Sequence, residues 1–426
     1  MKIKFTAVAA IAFAGLITFQ SCKKKGCMDD SILVTNYDPE AKVADESCVY
    51  SYTLKTGETV VENNITSDVT WTSDKVWVLP KRISVESGAT LTIEAGTIIK
   101  GLPGTGANAS SLLISQGAKI MANGTSSAPI IFTSTDDEIV SGEIASPNLN
   151  ETQTAKWGGL IILGKAPISA DASTAQIEGI PASDVNGLYG GSDAADNSGK
   201  LEYVSVRHGG ANIGEGNEIN GITFGGVGSG TVVNYIEVIG NQDDGVEFFG
   251  GTVNASNIIV MNVGDDAIDG DQAYSGTISN LAILCGNETD HAFEIDGAEG
   301  VDVGTMTIID GTVVGSASSE LGQLRDSAMV HMENIFFLNF NDTTGGRGDF
   351  GFNDSGSETN FTEGRTTFSN IEVENTSITW ELSKVLKDGV DTHGTFVTIG
   401  NQTVGADLSK FADWSWANIA LTAAVQ

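Results

Sequence analysis

Three stretches in the middle of the chain decide the fold: VNYIEVIGNQDDGVEFFGG (233–251), SNIIVMNVGDDAIDGDQA (256–273) and SNLAILCGNETDHAFEIDG (279–297). The three stretches align with one another. Their asparagines recur at a regular interval of 23 residues, at Asn234, Asn257 and Asn280, and each precedes an apolar strand. A repeat of this length is typical of a solenoid in which each coil contains about three short strands. The repeat predicts an all-β fold, a right-handed parallel β-helix, whose equivalent positions lie above one another.

The same pattern continues on both sides of the repeat. Apolar strands follow Asn334 and Asn370, and ISVESGATLTIEAGTIIKG (83–101) alternates apolar and polar residues before it turns on Gly. A flat sheet or a sandwich would instead show hairpin turns about every 8–12 residues. We therefore expect the β-helix to span residues 51–406.

Both ends of a solenoid must be covered, because its core is buried only between neighbouring coils. We expect residues 51–75 to cover the first coil. Residues 407–426, interpreted as a short amphipathic helix, are expected to cover the last coil. The asparagines at one bend are expected to hydrogen-bond along the stack, where they satisfy backbone groups that a turn leaves unpaired. This predicts a structural role for the asparagine column.

The composition excludes some classes of protein. The 426 residues include 55 Asp and Glu against 22 Lys and Arg, which gives a formal net charge of −33. Such a chain lacks the cationic face that nucleic-acid binding requires. The 40% of hydrophobic residues argues against disorder. The 52 glycines with only 7 prolines indicate tight turns between short strands.

Residues 1–21 have the features of a secretory signal peptide. Lys2 and Lys4 precede an apolar run from Phe5 to Phe19, which is too short to span a bilayer. Ser21-Cys22 after this run resembles a bacterial lipobox, which implies that Cys22 is lipidated and becomes the mature N-terminus. An ordinary signal peptide is the alternative. We expect an exported chain tethered to a membrane at Cys22, with the three lysines that follow lying against anionic headgroups.

Residues 22–50 are expected to form the tether and a small module. Cys27 and Cys48 bracket an acidic stretch that resembles a short module of exported Bacteroidetes proteins. The resemblance and the oxidising destination imply a disulfide between them, which would stabilise a loop of this length by roughly 3 kcal/mol. The acids in this stretch either hold a calcium ion or form a solvated spacer. Cys285 lies in an apolar strand and is expected to be buried.

Acidic residues form columns across the three aligned segments. Val246, Ile268 and Phe293 share one column and are expected to point inward, because side chains alternate along a strand. The carboxylates beside them then point outward and stack on successive coils. The columns consist of Asp243, Asp265 and Asp290; Asp244 and Asp266, with His291 on the third coil; Glu247, Asp269 and Glu294; and Asp271 and Asp296.

The close spacing of these carboxylates needs an explanation. Neighbouring coils lie about 4.8 Å apart, where two like charges repel by roughly 3.5 kcal/mol at an effective dielectric constant near 20. Calcium would bridge the acids, since it takes oxygen ligands. Alternatively, some carboxyls stay protonated, as in the acid–base pair of a hydrolase, or the acids are fully solvated. The sequence leaves the three arrangements open.

The hydrolase alternative has a specific resemblance behind it. Glycoside hydrolases of the polygalacturonase type are right-handed β-helices with N-x-D, D-D, G-H-G and R-x-K motifs on successive coils. Asn241-Gln242-Asp243 resembles the first motif, Asp265-Asp266 resembles the second, and His291 falls where the third would lie. The resemblance implies that the catalytic residues are Asp243, Asp265, Asp266 and His291.

Two departures weaken this resemblance. His291 lies in D-H-A, not in G-H-G, and Arg325 in QLRD is the nearest counterpart of the last motif. A lyase would need a Lys or Arg base beside the acids, and the scarcity of cations among these coils argues against that reaction.

A second acid-rich stretch, SDVNGLYGGSDAADNSG (183–199), contains Asp184, Asp193 and Asp196 in a Gly-rich loop. Oxygen ligands at this spacing suit a calcium loop, although the pattern is not that of an EF-hand. A polar loop at the edge of a coil is the alternative.

The chain as a whole resembles a group of Bacteroidetes lipoproteins of unestablished activity. The resemblance is carried by segments such as ATLTIEAGTIIKG (89–101), WGGLIILGKAPI (157–168) and DDAIDGDQAYSGTISN (265–280). It implies a lipid-anchored protein of the cell envelope, expected at the outer membrane. We expect it to bind a glycan or an envelope partner without catalysis, with Phe249 and Tyr274 pointing outward to stack on sugar rings. A polysaccharide-degrading enzyme is the alternative.

Overall fold

The structure is a computed structural model, and it describes residues 23–28, 34–45, 47–49, 52–106, 109–212, 219–340, 347–375 and 380–425. The expected signal peptide and the lipidation expected at Cys22 lie outside these residues. Within the described ranges, no helix has the length and apolar character needed to cross a membrane.

Short strands dominate the described residues, and the helices are few and short. The strands are Lys25–Gly26 (β1), Val43–Ala44 (β2), Glu58–Val60 (β3), Val69–Trp71 (β4), Val76–Leu79 (β5), Ile83–Val85 (β6), Thr90–Ile93 (β7), Ile98–Gly101 (β8), Leu112–Ile114 (β9), Lys119–Asn123 (β10), Ile130–Ser134 (β11), Leu160–Leu163 (β12), Ala175–Gln176 (β13), Leu188–Tyr189 (β14), Gly199–Arg207 (β15), Ile222–Gly225 (β16), Val232–Ile239 (β17), Val246–Phe249 (β18), Asn254–Met261 (β19), Ile268–Asp271 (β20), Thr277–Leu284 (β21), Phe293–Asp296 (β22), Met306–Val314 (β23), Gly322–Arg325 (β24), Val330–Leu338 (β25), Phe350–Phe352 (β26), Thr367–Glu374 (β27) and Gly394–Val397 (β28). The α-helices are Ser355–Thr362 (α1), Leu382–Val385 (α2) and Asn418–Ala424 (α3), and 3-10 turns lie at Val185–Gly187, Val390–His393 and Leu408–Phe411.

Most of these strands belong to two parallel sheets that wind around one core. One sheet has 15 strands and the other has nine, which run from β6 to β26. In the middle of the chain each coil adds one strand to each sheet. The register there is regular, since Val246 pairs with Ile268 and Ile268 pairs with Phe293. This parallel pairing between successive coils confirms the predicted right-handed parallel β-helix.

The core is a continuous column of apolar side chains inside the coils. Val246, Ile268 and Phe293 are fully buried in it, as the alternation predicts. Aromatic rings also stack along the axis, with the centroid of Phe248 4.4 Å from that of Tyr274. Each coil therefore buries its apolar face only against the coils on either side of it.

Two aromatic side chains lie in places that the sequence did not indicate. Tyr274 is inside the solenoid, and only 2% of it is exposed. Phe249 points away from the core, but it is buried against Tyr189, with ring centroids 6.1 Å apart. The expectation that these two rings face solvent is therefore wrong, and neither offers a free surface to a sugar.

A column of residues with left-handed backbone marks one bend of the coils. Tyr235, Asn257 and Asn280 occupy it with φ near +57°, +54° and +54°. Asn280 donates a hydrogen bond to Asn257 (2.7 Å), and Asn257 donates one to Asn234 (2.7 Å). Asn234 thus joins the ladder through its side chain, but Tyr235 holds the equivalent backbone position. The interval between the first two left-handed residues, Tyr235 and Asn257, is therefore one residue shorter than the predicted interval between Asn234 and Asn257.

The C-terminal segment, residues 407–425, lies along the side of the solenoid and not over its last coil. Phe411, Trp414 and Leu421 pack on outward apolar residues of the 15-stranded sheet, such as Ile259 and Phe336. These outward residues would expose an apolar strip without that cover. The far end is instead closed by residues 380–394, which add their own apolar side chains to the core.

The N-terminal module is cross-linked and has its own short parallel pair, β1 and β2. Cys27 and Cys48 form a disulfide with Cα atoms 4.7 Å apart. Asp38 forms a salt bridge with Lys24 (2.9 Å). Among the described residues of this module, no group of three side chains is placed to share a metal ion. Cys285, far along the chain, is a free and partly buried thiol.

Candidate functional site

The acids at the bend before the nine-stranded sheet form a ladder of hydrogen bonds. The backbone N–H of Asp244 donates to the side chain of Asn220 (3.3 Å), that of Asp266 donates to Asp244 (2.9 Å), and that of His291 donates to Asp266 (2.8 Å). Each side chain therefore satisfies the backbone of the next coil at a bend without strand pairing. Gly245 follows the ladder because a Cβ there would lie 2.5 Å from a carbonyl oxygen of the next coil.

A second column of acids lies beside the ladder. Glu247, Asp269 and Glu294 are in register on the outer side of the nine-stranded sheet. They point away from the core, as predicted, yet they are only 7%, 9% and 8% exposed. This column is therefore not a fully solvated acidic face.

A loop lies over the same side of the sheet as this column. This covering loop, residues 165–191, packs Ile168, Ile177 and Tyr189 in an apolar cluster with Phe249. The hydroxyl of Tyr189 also donates a hydrogen bond to Gln272 (3.1 Å), just after β20. The loop covers Phe249, so a side chain on the outer face of this sheet can point outward and still be buried.

Two groups of carboxylates meet at Asp269. One ligand oxygen from each of Asp244, Glu247 and Asp269 lies within 4.8 Å of the other two, and the same holds for Asp266, Asp269 and Glu294. Burial, together with repulsion from the neighbouring acids, raises the pKa of Asp244, Glu247 and Asp269 well above the usual range. Burial and the charge of Asp266 raise the pKa of Glu294 to about 8. These carboxyls are difficult to ionise together without a compensating positive charge.

One oxygen of this cluster is unpaired within the described part of the chain. Glu247 accepts a hydrogen bond from the amide of Asn220, and Asp244 accepts one from the backbone of the next coil. Oδ1 of Asp269, in contrast, is buried and has no hydrogen-bond partner. An unpaired buried carboxylate oxygen is costly. Several carboxylate oxygens converging on such an atom fit a hard divalent cation such as calcium.

His291 is enclosed with the acids and does not line an open cleft. Its Nδ1 lies 2.8 Å from Oδ1 of Asp266, and both side chains are buried. Burial opposes the imidazolium charge, but the hydrogen bond to Asp266 and the charges of Asp290 and Glu294 outweigh it and raise the pKa of His291 to about 9. The histidine therefore acts as a buried positive charge beside the acids.

The three aligned segments contain no Lys or Arg, as expected, but two arginines from later parts of the chain lie beside the acids. Arg325 contacts Glu294 (2.6 Å) and both oxygens of Asp296 (2.7 Å each). Arg347 pairs with Asp290 and with the carboxylate of a later coil. Hydrogen bonding to Asp296 raises the pKa of Arg325 further, so that it stays protonated and is a poor base for a lyase.

The other acids at the bend are more open. Asp265 is exposed, while Asp243 and Asp290 are partly exposed. Loss of hydration and the charges of Asp266 and Asp290 raise the pKa of Asp265 to about 6. Ligand oxygens of Asp243, Asp244 and Asp265 lie within 4.8 Å of one another. This is closer than the roughly 6.5–9.5 Å that separates the two carboxyls of an inverting hydrolase.

Asp271 and Asp296 extend the acidic face but belong to neither group. Burial raises the pKa of Asp271 to about 7, and it accepts a hydrogen bond from the backbone of Gln272 (2.5 Å). Asp296 is neutralised by Arg325. These two residues are therefore less suited to a metal ion than Asp269.

The three acids of the second acid-rich stretch are each held by separate partners. Asp184 forms a salt bridge with Arg82 (2.6 Å). Asp193 accepts a hydrogen bond from the backbone of Ala195 (3.1 Å), and Asp196 accepts one from Ser198 (3.2 Å). No group of three metal-ligating atoms in the described ranges includes any of these acids. Each of these acids thus has a partner within the protein, and the calcium loop stays a prediction.

Sequence reasoning missed Asn220 and Arg347. Asn220 begins NGITF, which has the same pattern as the DGVEF that begins at Asp244, so extending the repeat back by one coil would have found it. Arg347 reaches the site from a later connection, where its guanidinium also donates to the backbone of Ser318 (2.7 Å). No periodic signal marks such a residue.

These observations define a class of protein: a right-handed parallel β-helix with a buried acidic cluster on its nine-stranded sheet. Residues 63–418 match the family model of the pectate-lyase like beta helix domain, and the chain belongs to this family. Comparison with curated proteins and with solved structures gave no match. The family fits a role related to carbohydrate.

Proposed function

We propose that this chain is a cell-envelope protein that binds a glycan or an envelope partner without catalysis, and that a calcium ion in its acidic cluster stabilises it. Family membership supports the relation to carbohydrate. The observation that carries the proposal is the buried, unpaired Oδ1 of Asp269, where the two carboxylate groups meet. A bound cation would supply that oxygen with a partner and offset the mutual repulsion of the acids.

The choice of calcium rests on the chemistry of the donors. Asp244, Glu247 and Asp269 offer only carboxylate oxygens, which are the ligands of hard cations. The nearby imidazole of His291 already donates to Asp266. Zinc and copper prefer nitrogen and sulfur donors, so this set of side chains favours calcium over them.

The burial of the site argues against catalysis. Asp266 and His291 are buried, and Oδ1 of Asp266 already accepts two hydrogen bonds from His291. A polysaccharide would have to displace the surrounding chain to reach this pair. Both residues instead serve the ladder that joins neighbouring coils.

Hydrolysis of a polysaccharide is the second candidate function, and one observation favours it. Asp265 is exposed, and the pKa of its carboxyl is raised to about 6. This pKa suits a general acid better than the pKa of an ordinary aspartate does. Incubation with neutral and acidic polysaccharides, followed by an assay for new reducing ends, tests this function. Release that disappears in Asp265→Asn and persists in the exposed-site control Glu333→Gln would establish the enzyme.

We further propose that Cys22 carries a lipid that anchors the chain to the outer membrane. The support is the apolar run that ends before Ser21-Cys22. Metabolic labelling with a radioactive fatty acid tests this, and we expect label in the wild type and in Cys285→Ser but not in Cys22→Ser. Label that persists in Cys22→Ser would overturn the anchor.

The calcium site is tested by thermal unfolding of the purified chain with calcium and with chelator. We expect a higher melting temperature with calcium and no such gain with magnesium at the same concentration, because magnesium demands a tighter octahedral site. A melting temperature that is the same with calcium and with chelator would refute the metal site. Glycan binding is tested separately, by titration with oligosaccharides.

A further inference from the structure

A polar groove lies at the bend next to the acidic ladder. It encloses about 600 Å³. Its lining comes from three successive coils and from the connection before β12. The residues that matter for recognition are Thr152, Thr154, Gln242, Asn262, Asn287 and Glu288.

The groove exists because a column of side chains is interrupted. The column consists of equivalent positions on three successive coils: Gln242, Gly264 and Asn287. Each of them lies three residues after one of the paired strand positions Ile239, Met261 and Leu284. Glycine is required in the middle, because a Cβ at Gly264 would lie 2.0 Å from the carbonyl oxygen of Gln242. The missing side chain leaves a trough between two amides that are two coils apart, a separation of about 10 Å.

The groups in the groove are available for a ligand. Within the described chain, no hydrogen bond is formed by the side-chain amides of Gln242, Asn262 and Asn287. Gln242 and Asn287 are exposed, and Asn262 is partly exposed. Amides offer both donors and acceptors and match the hydroxyl groups of a sugar, which are also donors and acceptors. On the opposite wall, Thr154 adds a hydroxyl, while the hydroxyl of Thr152 donates to Asn150 (2.8 Å) and offers a ligand only its acceptor capacity.

The charge around the groove selects among sugars. Asp243 follows Gln242 directly, Asp265 follows Gly264, and Glu288 lines the groove itself. Among the described residues that line the groove there is no Lys or Arg. A polyuronate would bring its carboxylates against this row of acids, whereas an uncharged saccharide would not.

We propose that this groove binds an uncharged oligosaccharide and discriminates against polyuronates. The inference rests on the proposed function and deepens it, since it names both the ligand class and the surface that receives it. The groove is separate from the buried cluster around Asp269, so a saccharide binds here without displacing the cation.

The test is titration calorimetry of the purified full chain with cellohexaose, maltohexaose, xylohexaose and hexagalacturonate, in chelator. We expect one of the three neutral hexasaccharides to bind at least tenfold more tightly than hexagalacturonate. The double variant Gln242→Ala/Asn287→Ala should weaken that binding at least tenfold. Thr154→Trp, which fills the trough from the opposite wall, should abolish it. Asn401→Ala, an exposed amide outside the groove, is the control and should bind as the wild type does.

Melting temperatures of all variants verify that they fold, and Thr154→Trp provides an independent result if the double variant is destabilised. Binding of a neutral hexasaccharide that persists in both groove variants would overturn the groove and leave glycan binding by the chain intact. Equal or tighter binding of hexagalacturonate would overturn the charge argument, with glycan binding again intact. Absence of binding by all four saccharides would overturn the inference and count against the proposed function as well.

Discussion

Replacement of Asp269 by asparagine is the perturbation that separates a metal site from an inert acidic cluster. The amide keeps the shape of the carboxylate but removes its charge. A ligand oxygen of Asp269 lies within 4.8 Å of those of Asp244 and Glu247. Two charges at that separation repel by about 3.5 kcal/mol at an effective dielectric constant near 20. Because raised pKa values leave the acids partly protonated, we expect about 1–3 kcal/mol of this repulsion to be relieved.

The assay is thermal unfolding followed by circular dichroism, with calcium and with chelator. In chelator, Asp269→Asn should melt a few degrees above the wild type. In calcium at about 100 times its Kd, the wild type should gain about 2.7 kcal/mol, while the variant should gain almost nothing. Glu333→Gln, which removes an exposed carboxylate from β25, is the matched control and should keep the full calcium response.

The reasoning would be refuted by the opposite pattern. If Asp269→Asn melts below the wild type in chelator, the carboxylate has an internal partner and is not an unsatisfied charge. If the variant and the wild type respond equally to calcium, the ion binds elsewhere.

Three further predictions follow from the same contacts. The metal-free protein should lose stability as pH rises from about 4.5 to 8. Burial raises the pKa of Asp271 to about 7 and that of Glu294 to about 8, so the folded state binds more protons than the unfolded state in this range. Calcium should flatten this loss of stability, and a flat pH profile in chelator would contradict the prediction. Asp266→Asn should destabilise the chain by roughly 1–3 kcal/mol in urea unfolding, because its carboxylate accepts both the backbone and the ring N–H of His291; an unchanged midpoint would count against the ladder. Trp414→Ala should cost roughly 3–5 kcal/mol, since its fully buried ring packs edge-on against Tyr203; protease cleavage in residues 407–425 of this variant, and not of the wild type, should accompany the loss.

The periodicity of the sequence was sufficient to predict the fold and the stacking of the acids. A repeat in which Glu247, Asp269 and Glu294 occur at equivalent places can bring them together only if coils are stacked in register, and the strand pairing has that register. The first member of the asparagine column was predicted one residue too early, at Asn234. Tyr235 instead adopts the left-handed conformation that asparagine usually provides. An alignment on residue type could not detect that substitution.

The environment of the acids could not be predicted in the same way. Alternation along a strand shows that Asp269 points away from the core, but it does not show that this side chain is buried. The same limit applies to Phe249, which points outward and is nevertheless buried against Tyr189. Burial of an outward residue depends on contacts between segments far apart in the chain, and these leave no local pattern.

The position of the C-terminal segment shows a related limit. Its Ala, Trp and Leu residues indicate a helix that covers something apolar, and α3 is such a helix. The partner is the outer face of the 15-stranded sheet, where Ile259 and Phe336 are apolar at positions that would otherwise be exposed. An apolar residue at an outward position is a signal for a covering segment, and this signal is present in the sequence.

Equilibrium dialysis with radioactive calcium measures the central claim most directly. The wild-type chain should retain about one calcium ion at a site that Asp269→Asn loses and that Glu333→Gln keeps. Failure of the wild type to bind calcium, or equal binding by the wild type and Asp269→Asn, would contradict the assignment of the buried acids to a metal ion.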